Sequence, residues 1–111
     1  MITQHQLVLH TPNQRPIPAA WAYRLYAWLL NRLSREEGDW LHRTGEHPIS
    51  HYLSYDKEAG QTVWTVNLLC TELEERLSNP LMETSAIDLH GCAIFVERQT
   101  IHQIPSPEAL I

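Results

Sequence analysis

Three histidines fall within the stretch "DWLHRTGEHPISHYL": His42, His47 and His51, with Asp39 just ahead of them. Imidazole can bind metal, move protons near neutral pH, or simply sit in a polar loop. A zinc centre would take three such ligands and keep a fourth position open. Here Pro48 stands between His47 and His51, so one helix cannot carry all three, and on a strand two of them would face opposite ways. The acid–base reading needs no metal. An imidazole can activate a hydroxyl and protonate a leaving oxygen, and RNA carries its own nucleophile in the 2′-hydroxyl. Spacing does not choose between that chemistry and a histidine-rich loop.

A second group lies just upstream. Arg24, Asn31, Arg32 and Arg35 recur at i, i+7, i+8 and i+11, with Trp28 in the same stripe and Arg43 beyond it. Arginine holds phosphate bidentately and stacks on bases, so Arg24, Arg32, Arg35, Arg43 and His51 are the candidate RNA contacts. The bland alternative is a solvated helix face, partly neutralised by Glu36, Glu37 and Asp39.

The elements that would position these residues follow from local pattern. "TQHQLVLH" alternates as a strand with Leu7 and Leu9 on one face, and the proline-rich segment from Thr11 to Pro18 is a connector. In "AAWAYRLYAWLLNRLSREEG" the residues Ala22, Leu25, Leu29 and Leu33 mark one long helix, started by Pro18 and stopped by Gly38. "HPISHYLSY" and "QTVWTVNLL" form a strand pair across "DKEAG", with Trp64, Val66 and Leu68 on one face of the second strand and Thr65 and Asn67 on the other. "TELE" has the capping-box form at Thr71 and Glu74, opening a short helix that ends before Pro80. "SAIDLHGCAIFVERQTIHQI" is a strand pair or one bent strand with a break near Gly91. Within it "HGCAIFVE" reads as core strand, because it lacks aromatics at alternate exposed positions. The order β-α-β-β-α-β, its last element doubled, predicts an α+β, ferredoxin-like antiparallel sheet with two helices on one face. The domain spans 1–104, and 105–111 reads as a linker.

Bulk properties narrow the classes. The 111 residues suit one domain, 43% hydrophobic and 19% charged. A net charge of −5 argues against a broadly basic nucleic-acid binder and leaves room for a local patch. No apolar run is long enough for a membrane span, and "MITQHQLVLHTPNQ" is not a signal peptide. The expected compartment is the cytoplasm, where Cys70 and Cys92 would be small buried hydrophobes and not a disulfide.

Taken in order, the first strand, the prolines, the Tyr- and Leu-rich helix, "WLH", the glycine step, "HPISHYLSY", the short capped helix and the strand ending in "IPSP" resemble a known family. It is the N-terminal half of the CRISPR-associated endoribonucleases of the RAMP superfamily, which cut CRISPR repeat RNA. The resemblance implies a cofactor-free and metal-independent reaction in which the 2′-hydroxyl attacks the adjacent phosphate, leaving a cyclic phosphate and a free 5′-hydroxyl. It implies that His42, in "LH", transfers protons. His47, in "HPIS" where some members have a lysine, would steady the phosphate charge. The family's helix tyrosine falls at Leu30, with Tyr26 one turn earlier, so Tyr26, His51 or Tyr52 would fill the third role.

Implied partners are CRISPR repeat RNA and either a second RAMP domain, toward which 105–111 would lead, or a CRISPR effector complex. Bare strand edges would permit a homodimer. Two other classes stand beside this one: a non-catalytic RAMP-type module that holds RNA or docks to an effector complex, and an unrelated ferredoxin-like protein-interaction domain.

Overall fold

The computed structural model describes residues 2–12, 17–44, 48–89 and 91–104, with the side chains of 42–44 left aside. Strand β1 (Ile2–His10) leads through a 3-10 turn (Ala19–Trp21) into helix α1 (Ala22–Leu30) and then helix α2 (Arg35–Thr44). A hairpin of β2 (Ile49–Asp56) and β3 (Gln61–Leu68) follows, then helix α3 (Thr71–Glu83) and a second hairpin, β4 (Ala86–Leu89) with β5 (Cys92–Ile104). The five strands form one antiparallel sheet in the order β2-β3-β1-β5-β4. This is the expected α+β ferredoxin-like arrangement. The doubled last element adds β4 as an extra edge strand. The linker residues 105–111 lie outside the described residues.

Strand alternation sorts the sheet into two faces. Leu7 and Leu9 of β1, Trp64, Val66 and Leu68 of β3, Ile49 of β2, Ile87 and Leu89 of β4 and Ile94 of β5 are buried in one core with Leu25 and Leu29 of α1 and Leu73, Leu77 and Leu81 of α3. The α3 leucines repeat every fourth residue, so one stripe of that helix lies on the sheet. On the opposite face Gln4 donates to Asn67 Oδ1 at 3.0 Å, and Asn67 donates to Ser50 Oγ at 3.0 Å, tying three strands together. Both hairpins close through aspartate: Asp56 Oδ1 accepts from the Glu58 and Ala59 amides, and Asp88 Oδ1 from the Gly91 amide, where φ is +82°.

Five expectations are corrected. The long first helix is two helices. Its backbone tightens at Leu30–Leu33, with the Arg32 amide bonding Leu29 O and the Leu33 amide bonding Leu30 O, both at 3.0 Å. A new start then takes over: the Ser34 amide donates to Glu37 Oε1 at 2.8 Å while the Glu37 amide donates to Ser34 Oγ at 3.2 Å. This reciprocal box satisfies two orphan amides and redirects the chain, so Gly38 lies inside α2 and ends nothing.

The box expected at Thr71 is absent. Cys70 occupies the cap position without a side-chain bond, and Thr71 is the first helical residue. That helix also runs through Pro80 to Glu83. Proline forfeits one amide bond there, but burial of Leu77 and Leu81 on either side, with the Thr84 amide bonding Pro80 O at 3.2 Å, holds the last turn. Finally, Cys70 and Cys92 are only partly buried, and β5 is largely exposed. Its Phe95 stacks on His10 with centroids 5.5 Å apart on the helix-free face. None of the described helices is long and apolar enough to cross a membrane.

Candidate catalytic and RNA-binding site

The site is set by register. His5 of β1 and His51 of β2 both pair with Val66 of β3, so all three form one row across the sheet. The row belongs to the helix face, and α1 covers the end that carries His51. Tyr26, one turn after the start of α1, lays its ring on the His51 imidazole, with centroids 4.6 Å apart and planes 8° from parallel. From the sheet, Trp64 Nε1 donates to His51 Nδ1 at 3.3 Å, the two rings meeting edge-on at 90°. Trp28 of α1 packs edge-on against Trp64 at 6.4 Å, and the Arg32 guanidinium lies 4.7 Å over the Trp28 ring. One contiguous path therefore runs from Tyr26 through His51, Trp64 and Trp28 to Arg32. A second cation–π pair, Arg24 over Trp21 at 5.5 Å, sits a turn or two back.

Protonation follows from these contacts. Partial burial pushes the His51 pKa below the ordinary histidine value, because a charged imidazole is costly to desolvate. The Trp64 bond works the same way: an indole nitrogen only donates, so Nδ1 must keep its lone pair. Burial raises the Tyr26 phenol, which stays protonated at neutral pH. Both side chains are therefore neutral, and each offers a proton to a hydrogen-bond acceptor. Phosphate oxygens are such acceptors.

The sequence-derived candidates separate on this framework. Tyr26 and His51 meet. Arg24 and Arg32 rest on tryptophans of the same helical segment, and Arg35 is exposed at the start of α2. His42 and Arg43 lie in the last turn of α2, their side chains outside the described residues, as is all of His47. Helix α2 ends at Thr44 and β2 begins at Ile49, so His42 and His51 stand on either side of one short connection. Tyr52 is excluded from this cluster: one residue along β2 it faces the helix-free side, where it is half exposed. Glu37, expected to neutralise the cationic stripe, turns instead to Arg76 of α3 at 2.9 Å. Among the described residues no three of His, Cys, Asp and Glu gather as a metal site would require. Trp64 was not foreseen as part of the site. Its alternation marked it as a buried strand residue, and only the pairing of β2 with β3 brings its indole to His51.

No family model matches the chain, and no curated protein matches it. Solved structures do. The chain is similar to a CRISPR associated protein Cas6 with a TM-score of 0.64 at 17% identity, over 96% of this chain and 51% of that one. It is similar to one Cas6 product complex with a TM-score of 0.68 at 23% identity, over 89% of this chain and 40% of the other. A second Cas6 product complex gives 0.56 at 23%, over 96% and 42%. The chain thus has a Cas6 fold and spans about half or less of the length of each of these proteins.

Proposed function

We propose that this chain is the RAMP-type N-terminal domain of a CRISPR-associated endoribonuclease that cuts precursor CRISPR repeat RNA without metal or other cofactor. The observation that carries the reading is the Tyr26–His51 stack, anchored by Trp64 and formed on β2, the strand that follows the helix bearing His42, in a fold held in common with Cas6 proteins. In the reaction the 2′-oxygen forms a bond to the adjacent phosphorus and the bond from phosphorus to O5′ breaks. The 2′-hydroxyl proton must leave and O5′ must gain one. His42 is the proton-transfer candidate, and His47 a second one that would steady the phosphate charge. Neutral donors at His51 and Tyr26 suit the charge that gathers on the non-bridging oxygens, where fixed donors accelerate such steps most. Arg24, Arg32, Arg35 and Arg43 would hold neighbouring phosphates.

The neighbours' greater length makes a second RAMP domain, or a CRISPR effector complex, the fitting partner for full activity. The edge strands β2 and β4 would serve a homodimer, and the setting would be the cytoplasm. Two observations favour a second reading, a non-catalytic RNA-holding module: the stacked pair Tyr26 and His51 are both donors, and the position of the family's helix tyrosine holds Leu30. The test is cleavage of repeat RNA in EDTA by the protein that carries this domain with its partner domain, wild type against His42→Ala. The proposal expects EDTA-resistant cleavage, blocked by a 2′-deoxy nucleotide at the cut site and lost in the variant with binding retained. Loss on chelation, restored by zinc, overturns it. Binding without cleavage by the wild type selects the second reading.

A further inference from the structure

Trp64 is wholly buried, and a buried indole N–H needs an acceptor. Its acceptor is a histidine nitrogen and not a backbone carbonyl. That choice has a chemical consequence, because carbonyls have no tautomers and imidazoles do. With Nδ1 accepting from Trp64, a neutral His51 carries its proton on Nε2, and a cationic one would oppose N–H to N–H. The flat Tyr26 stack fixes the plane of the ring at the same time. Plane and tautomer together give the Nε2–H bond one direction. His51 itself is only partly buried.

We propose that Trp64 is a positioning residue that holds His51 as the Nε2–H tautomer, so that His51 meets a phosphodiester as a hydrogen-bond donor to a non-bridging oxygen and never as the base that takes the 2′-hydroxyl proton. The inference rests on the RNA-processing reading and divides the labour within it. His51 stabilises charge, and proton abstraction belongs to another group. A tryptophan on a neighbouring strand thereby decides which half of acid–base chemistry a histidine can perform.

The experiment uses the chain with ¹⁵N-labelled histidine and a long-range nitrogen–proton correlation spectrum. The wild type should show His51 with Nδ1 unprotonated and Nε2 protonated at neutral pH, and Trp64→Phe should mix the tautomers. Adding repeat RNA with a 2′-deoxy nucleotide at the cut site should move the Nε2 resonance. In the protein with its partner domain, Trp64→Phe should lower kcat by ~10-fold with KM little changed. His51→Gln, whose amide reaches as far as Nε2, should retain more activity than His51→Asn, whose amide reaches only Nδ1.

A protonated Nδ1 in the wild type overturns the proposal, as does bound RNA that leaves Nε2 unmoved, or a kcat that is indifferent to loss of the tautomer. If Trp64→Phe does not fold, the wild-type spectrum and the Gln–Asn pair still decide. If no repeat RNA is cut by the wild type, the processing reading falls alone, and the response of Nε2 to the bound 2′-deoxy RNA still decides the donor role.

Discussion

His5 and His51 occupy the same row of the same face of one sheet, separated only by Val66, and their environments diverge completely. His5 sits on the central strand under α3, 1% exposed, its Nε2 sharing a hydrogen bond with Ser78 Oγ at 3.1 Å. His51 sits on an edge strand under α1, partly open, held by one aromatic ring and one indole N–H. Burial lowers both pKa values, with Glu74 opposing the effect at His5. Desolvation is therefore not what distinguishes a candidate site from a satisfied core histidine. Access is. The edge position leaves His51 partly exposed, while His5 is enclosed between its strand and α3, where Ser78 is its partner.

Substitution should separate the two sharply. In the complete protein, His51→Ala is expected to reduce cleavage by ~10²–10³-fold with RNA affinity nearly kept, the usual consequence of losing a transition-state donor. Single-turnover kinetics checks it, and a rate within a few fold of wild type would put His51 in the same class as His5. His5→Ala should do the reverse: leave the rate per folded molecule unchanged and cost about 2–4 kcal/mol of stability, since it opens a cavity and strands the Ser78 hydroxyl. Urea unfolding measures that loss.

Acid should expose both at once. For each histidine the folded-state pKa lies below the unfolded value of 6.5, so the unfolded chain binds the proton first. Stability is full above that value and falls as pH drops from there through the lower folded-state values. Replacing either histidine with glutamine should flatten the slope measured by thermal unfolding across that window. Smallest of all, Ser78→Ala should cost about 1 kcal/mol and leave the behaviour of His51 untouched.

The contrast also explains what could be read from the residues alone. The strands were legible because alternation is a local signal: Leu7 with Leu9, and Trp64 with Val66 and Leu68, face the core as their spacing predicts. The apolar stripe of the first helix was legible too, but it masked the break after Leu30. Leu33 keeps the period while lying in the turn, and the capping pair Ser34–Glu37 that starts α2 sits inside an apparently continuous helical run. The same four-residue pattern at Thr71–Glu74 forms no box, because the cap there falls a residue earlier, at Cys70, and Thr71 is already helical. A capping motif gives a possibility that the surrounding chain decides. At the site, Tyr26 and His51 were nameable one by one. Their contact depends on where α1 lands on the sheet, and the part of Trp64 depends on strand register, neither of which is encoded within a short window.

The sheet order carries a consequence for how the molecule is made. Both neighbours of β1 come later in the chain: Thr3 pairs with Leu68, and Ile2 with Ile104. A nascent chain therefore holds β1 unpaired on one side until β5 has left the ribosome. Such long-range pairing slows folding, since loop closure must precede any gain from contact. The His51 site needs only α1 and the β2–β3 hairpin, all made before β5. Its aromatic stack can assemble while the sheet that supports it is still half built, and chains that stall before β5 would expose the bare edge of β1 to other chains.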